Sequence, residues 1–309
     1  MIMKKTPKNL MLSGFMFTAL LAYGCSNDNA VESEPVLQNS SPEVTDVSDV
    51  EMQDDMPAPE EGWTVIFEDD FEGGSTPDQS KWSLCEKGTT NWARYLSESY
   101  DQAYQKDGYL YLVGEKVDGE YKTGAIETRG KFDFQYGKVE CRARFMRQPK
   151  GGHTGIWMMP APPAEQWPKS GEIDIMEHLN DEAKIFETVH SWYADDMGHK
   201  DDPVAQKEVS VDNNEWNTYG LIWTPESITY TVNGEPYLSY PNLNLGGQDG
   251  AYQWPFSHPF YLILSQSLGG EGTWAGAIDD SELPAVFQID WIRVSQQNPA
   301  SSGVPKIRE

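Results

Sequence analysis

Apolar residues recur at every second position in short runs between residues 63 and 294, and turn residues separate the runs. That period belongs to strands with one buried face, and no long helical pattern competes with it. Tyr109-Leu110-Tyr111-Leu112-Val113 follows the turn Lys106-Asp107-Gly108, and Lys138 to Phe145 alternates charged with apolar residues. Ile228 to Val232, then Asn233-Gly234, then Glu235-Pro236-Tyr237-Leu238 reads as a hairpin. Asn-Gly supplies the two positive-φ positions of a type I′ turn. Pro236 cannot donate to a ladder, so its strand belongs at a sheet edge or beside a bulge. Phe260 to Leu264 is continuously apolar and suits a strand covered on both faces, while Gln288 to Val294 alternates again. Many short strands with regular turns predict an all-β, two-sheet β-sandwich of jelly-roll type. We place this folded domain at residues 63–296, an acceptable length for one all-β unit.

The flanks differ in composition. Lys4, Lys5 and Lys8 precede an apolar run from Leu10 to Ala22 that is short for a bilayer span. The run ends in Leu21-Ala22-Tyr23-Gly24-Cys25, which resembles a bacterial lipoprotein cleavage site. Residues 1–25 are therefore read as a signal segment with Cys25 as the lipidated residue; a plain secretory signal is the other reading. Residues 26–62 hold eleven acidic residues and no Lys or Arg, with prolines at 35, 42, 57 and 59. Such a segment cannot bury a core and reads as a disordered tether. Acidic residues soon after Cys25 resemble surface-export signals, which points to the outer membrane and the cell surface, with membrane contact only through the lipid. Residues 297–309 form a short tail. The net charge of −26 argues against a nucleic-acid partner, because phosphates would be repelled. Cys85 and Cys141 could pair in an oxidising compartment or stay as buried thiols, and two cysteines do not decide between these.

Ser170-Gly171-Glu172-Ile173-Asp174-Ile175-Met176-Glu177-His178 carries three carboxylates within six positions. In a strand, Glu172 and Asp174 share a face, and the next residue on that face is Met176. One extra residue, a β-bulge between Asp174 and Glu177, brings Glu177 onto the same face. The Cα atoms of the two Glu would then lie about 13 Å apart. Side chains leaning together on a concave sheet can close this to about 5–5.5 Å, the carboxyl separation of a retaining glycosidase. One carboxylate must attack while the other stays protonated, and an acid between them can push the two apart. The alternative is a solvated acidic strand edge.

Glu172-Ile173-Asp174-Ile175-Met176-Glu177 resembles the E-x-D-x-x-E signature of glycoside hydrolase family 16, in its bulged form. The resemblance covers roughly residues 63–294. It implies a jelly roll with a concave cleft, Glu172 as nucleophile, Asp174 as its assistant and Glu177 as acid/base. The stretches Thr123 to Phe132 and Tyr136 to Glu140 resemble the strands that precede the catalytic one. Trp157, in Gly155-Ile156-Trp157-Met158-Met159-Pro160, falls where the family stacks a Trp under the sugar; a core Trp is the other reading. Trp167 lies in a Pro-rich loop placed to line the cleft. Asn91 and Arg94 match a stretch that contacts sugars, although Arg94 in an ion pair is equally compatible. His190 matches a His beside the catalytic strand, and Gln266 and Trp274 match the last cleft-lining strand and loop. The family often holds a structural calcium far from catalysis, and Glu68, Gly108 and Asp290 fall at comparable places; catalysis itself requires no cofactor.

The implied activity is endo-acting, retaining hydrolysis of a polysaccharide or glycoprotein glycan. The contexts Glu177-His178-Leu179-Asn180 and Glu187 to Ser191 resemble gut-bacterial enzymes that cut internal β-galactosidic bonds, in mucin-type O-glycans or poly-N-acetyllactosamine. Endo-β-1,3(4)-glucanases of the laminarinase type are the alternative. Many of them carry a Trp-Pro pair where this chain has Gly152-His153-Thr154-Gly155-Ile156-Trp157. A non-catalytic glycan-binding protein is the reading from another class, but it gives no reason for the three acids.

Overall fold

The computed structural model describes residues 56–298. The expectations for Cys25 and residues 1–25, for most of 26–62 and for nearly all of 297–309 lie outside that range. In chain order the strands begin with β1 (Trp63–Asp69), β2 (Ser83–Leu84), β3 (Ala103–Lys106), β4 (Tyr109–Val117), β5 (Glu120–Thr123) and β6 (Ala125–Glu127). Next come β7 (Gly137–Arg147), β8 (Gly152–Pro160), β9 (Glu172–Leu179), β10 (Lys184–His190) and β11 (Gln206–Ser210). The last are β12 (Asn217–Trp223), β13 (Ser227–Val232), β14 (Glu235–Pro241), β15 (Phe260–Leu268) and β16 (Ala285–Gln297). Two short helices, α1 (Trp192–Asp195) and α2 (Gly247–Gln253), lie between strands. No helix among the described residues is long and apolar enough to cross a membrane.

The strands make two antiparallel sheets. One runs β14-β13-β12-β7-β16-β4-β3, with β1 also on β16 and β5 also on β4; the other runs β11-β10-β9-β8-β15-β6-β2. Period-two patterning sends one face of each sheet inward. Val139, Cys141, Tyr219 and Leu221 of the first sheet share a buried cluster with Ile156, Met158, Ile173 and Leu262 of the second. Each large apolar side chain so buried contributes about 1.5–3 kcal/mol of transfer free energy.

The hairpin turn takes φ of 53° at Asn233 and 82° at Gly234. Pro236 satisfies both of its constraints, because β14 is the outermost strand and its register slips opposite Tyr230 and Thr231. All nine residues of β15 are buried. Leu262 and Leu264 face the intersheet core, while Tyr261 and Ile263 join a second cluster with Cys85, Ala93, Leu96 and Trp157. The loop after β2 thus covers the outer face of β15, which explains its unbroken apolar run. Cys85 and Cys141 are both free and buried, in different clusters.

The calcium expectation meets a different arrangement. Glu68 accepts from Arg293 Nε at 3.1 Å, and the buried Asp290 pairs with Arg142. In each, an arginine takes one carboxylate oxygen, whereas calcium takes side-chain and carbonyl oxygens alike. Gly108 offers only its carbonyl, in the β3–β4 turn.

Candidate active site

The second sheet carries β9 between β8 and β10. Across β10, Thr188 pairs with Asp174 and Phe186 pairs with Glu177. Two steps on β10 therefore oppose three on β9. Across β8, Trp157 pairs with Asp174 and Ile156 pairs with Met176. Both neighbours skip Ile175, so it is the extra residue of a β-bulge. Ile173, Ile175 and Met176 all enter the intersheet core, leaving Glu172, Asp174 and Glu177 to the opposite face. Removing the Ile175 side chain would cost about 2–5 kcal/mol, so core packing holds the bulge in place. The entry to β9 is fixed as well. Gly171 has φ of 82°, and a Cβ there would come within 2.6 Å of the Phe256 ring.

Each carboxylate has its own partners. Trp167 Nε1 donates to Glu172 Oε2 at 2.8 Å, and Asp174 shares a hydrogen bond with Glu172. Burial, with the charges of Glu177 and Glu172 and the hydrogen bond to Glu172, lifts Asp174 well above the usual carboxylate range and favours its protonated form. Burial also raises Glu172, and Glu177 adds to this, while His190, the Trp167 indole and Asp174 pull it back.

His190 links this pair to the edge of the site. Its Nε2 lies 3.4 Å from Asp174 Oδ2, and its Nδ1 lies 3.1 Å from Asp195 Oδ2. Burial opposes charge on His190, but the Asp195 hydrogen bond and the nearby negative charges outweigh it and raise the imidazole. Asp195 is in turn lowered: burial acts to raise it, but His190 and Lys200 prevail. His178 is the contrasting case. It turns into the interior, stacks on Phe145 at 3.9 Å, and burial pushes it down to about 4. Glu177 is flanked by His153, with Nε2 at 3.1 Å from Oε1, and by Thr188 Oγ1 at 3.4 Å from Oε2.

The acids sit where two basins adjoin. One, of about 920 Å³, is lined by Glu172 together with Asn91, Trp92, Trp157, Trp167 and Tyr261. The other, of about 590 Å³, is lined by Glu177, His190, Lys184, Phe186, Gln206 and Glu208. Trp274 lines both and is 51 % exposed. Trp157 is only 8 % exposed, with its Nε1 on Ser265 Oγ at 3.1 Å and its ring edge-on to Trp92. Gly155 makes room for it, since a Cβ there would meet the indole at 2.9 Å.

The sequence-based site is therefore assembled for Asn91, Trp157, Trp167, His190 and Trp274, but not for two residues. Gln266 is fully buried and faces the interior, bonded to Thr154 and Gln148. On β15 the cleft-side positions are Tyr261, Ile263 and Ser265, so Gln266 has the wrong parity to meet a sugar. Arg94 donates to the Gly269 carbonyl at 3.1 Å and lies over Tyr95. It braces the loop after β15 and does not line either basin. Sequence reasoning missed His153, Thr188 and Asp195. Alternation could have found the first two, because His153 is four residues before Trp157 and Thr188 is two before His190. For metal binding, Glu172, Asp174 and His190 present ligand atoms within 4.8 Å of one another. A cation held there would tie up the carboxylate that faces the cleft.

The comparisons agree with this geometry. Residues 89–293 match the model of "Glycosyl hydrolases family 16". A keratan-sulfate endo-1,4-beta-galactosidase of Sphingobacterium multivorum is 34 % identical, over 97 % of this chain and 70 % of its own. A solved structure from work on endo-acting O-glycanases with which human gut bacteria initiate mucin breakdown is 32 % identical. Its TM-score is 0.69, over 76 % of this chain and all of that one. The laminarinase of Rhodothermus marinus superposes with a TM-score of 0.68 at 28 % identity, over 76 % of this chain and 98 % of that one. With carboxylates, jelly roll and family model in register, the chain belongs to glycosyl hydrolases family 16 and is an endo-acting glycosidase.

Proposed function

We propose that this enzyme cleaves internal β-galactosidic bonds with retention, in mucin-type O-glycans or poly-N-acetyllactosamine chains. The observation that carries the mechanism is the bulge at Ile175, which leaves Glu172 and Glu177 on one face, each lining a different basin. Glu172 attacks the anomeric carbon as Glu177 gives its proton to the departing oxygen. Glu177 then takes a proton from water, and that water releases the sugar from Glu172. Asp174 holds its proton on Glu172, and His190 with Asp195 keeps Asp174 in place. The developing charge changes are met by groups already in position, which is where such sites gain most of their rate. The reaction so written needs no cofactor, and EDTA should leave kcat unchanged.

The galactoside preference is supported by the likeness to the keratan-sulfate galactosidase and the O-glycanase, and by the stretch Gly152 to Trp157, which lacks the Trp-Pro pair that many laminarinases carry there. Likeness to the Rhodothermus laminarinase supports the second reading, an endo-β-1,3(4)-glucanase. Product analysis after incubation with laminarin, desialylated mucin and poly-N-acetyllactosamine separates them. Oligosaccharides from the galactosides are expected, and release from laminarin alone overturns the preference. We also propose that Cys25 is acylated and anchors the enzyme at the outer membrane, facing outward. Labelled palmitate should enter the wild-type chain and not Cys25→Ser.

A further inference from the structure

We infer that His153 is a positioning residue for Glu177, setting the acid/base carboxyl toward the leaving oxygen and stabilising the carboxylate left after proton transfer. The inference rests on the acid/base role proposed above for Glu177. His153 Nε2 lies 3.1 Å from Glu177 Oε1, on the neighbouring strand of the same sheet. Its ring stands edge-on to Trp274 at 5.7 Å, so the imidazole is held between the acid and the aromatic shared by both basins.

The backbone beneath His153 is fixed from several directions. Asn180 N donates to the Gly152 carbonyl at 2.9 Å, and Gly151 N donates to Asn180 Oδ1 at 2.7 Å. On the opposite face of β8, Thr154 donates to the buried Gln266 at 2.9 Å. The Gln266 that does not reach the cleft thus helps hold the strand whose next face does. A side chain on so constrained a strand presents one nitrogen to one carboxyl oxygen.

The chemistry follows from that contact. While Glu177 is protonated, its proton goes to the glycosidic oxygen as the C1–O bond breaks and the bonding pair stays on oxygen. Glu172 supplies the pair for the new C1–O bond. Glu177 is then a carboxylate, and with the imidazole proton on Nε2 an N–H donated to Oε1 is worth more to it than to the neutral acid. In the second step water returns a proton to Glu177 and the cycle closes. His153 exchanges no proton in this scheme. It favours the transition state in which charge grows on Glu177, so its removal should be felt wherever the leaving group needs that proton.

Leaving-group dependence tests this. His153→Ala and His153→Gln are compared with wild type on the polymer and on a 2,4-dinitrophenyl β-glycoside of the released oligosaccharide, which departs without an acid. His153→Ala should lose about 10- to 100-fold in kcat/KM on the polymer, a share of the 10²–10⁴ typical of acid catalysis. It should lose less than about threefold on the activated glycoside. His153→Gln, which keeps a donor at similar reach, should recover part of the polymer rate. Equal losses on both substrates, or no loss on the polymer, would overturn the inference. Glu177→Gln is the control: if it fails to spare the activated glycoside, the acid/base assignment itself falls. If it spares that substrate and His153→Ala does not, only the role of His153 falls.

Discussion

On the Glu172 side of the cleft the walls include Trp92, Trp157, Trp167 and Tyr261, with Arg129 paired to Glu127; on the Glu177 side they include Lys184, Phe186, Gln206 and Glu208. Aromatic faces hold a neutral sugar ring by area, with little dependence on salt. The charged side has mostly spent its charge internally. Lys184 bridges Glu182 at 3.2 Å and Glu208 at 3.1 Å and lies over Phe186. Such exposed pairs contribute little net energy. In the mechanism proposed above, the half that keeps the sugar through a covalent step is the one built to grip, and the half that must lose its product and admit water is not. Double displacement requires that order of events.

The largest effect should come from Glu172→Gln. Loss of a nucleophile costs several powers of ten in kcat, and the fold and glycan binding should survive, as circular dichroism and calorimetric titration would report. Substantial remaining turnover would remove the distinction between the two sides altogether.

A second effect concerns the strand behind the charged half. β10 turns Glu187 away from the cleft, fully buried and with neither oxygen hydrogen-bonded. Burial raises it from 4.5 to about 8, against the weaker pull of Lys207. An acid raised on folding is protonated in the native state and ionised in the unfolded chain between those values. Its contribution is thus full below about pH 4.5 and is lost as pH rises toward 8. The ceiling on the slope is about 1.4 kcal/mol per pH unit. Glu187→Gln should flatten the fall of Tm across pH 5 to about 8, and parallel curves for the two proteins would count against a neutral buried acid.

Smaller effects probe the cleft walls directly. Trp92→Ala should raise KM about tenfold and change kcat less, because it removes stacking area present before and after bond breaking. Glu208→Gln should shift kcat/KM by less than about threefold, and the shift should shrink in high salt. Reversal of these two magnitudes would invert the comparison.

Much of this was legible before any coordinates. Asn233-Gly234 fixed its turn by φ alone, and Pro236 marked an edge because it lacks an N–H. The bulge followed from parity, since three acids on one face at 172, 174 and 177 need an odd insertion. Gln266 and Arg94 failed for a different reason. Which face of β15 meets the cleft depends on its register with β8, and that register is a property of two strands. Arg94 found a carbonyl of the chain, Gly269, 175 residues away. No local pattern encodes such a partner. His153 was missed because its meaning required Glu177 beside it.

The most direct test labels the enzyme with a 2-fluoro glycoside that forms the covalent intermediate and hydrolyses slowly. Mass spectrometry of the peptide spanning residues 170–178 should place the sugar on Glu172. Attachment to Glu177 would contradict the assignment, and so would an unlabelled enzyme whose first product has inverted configuration.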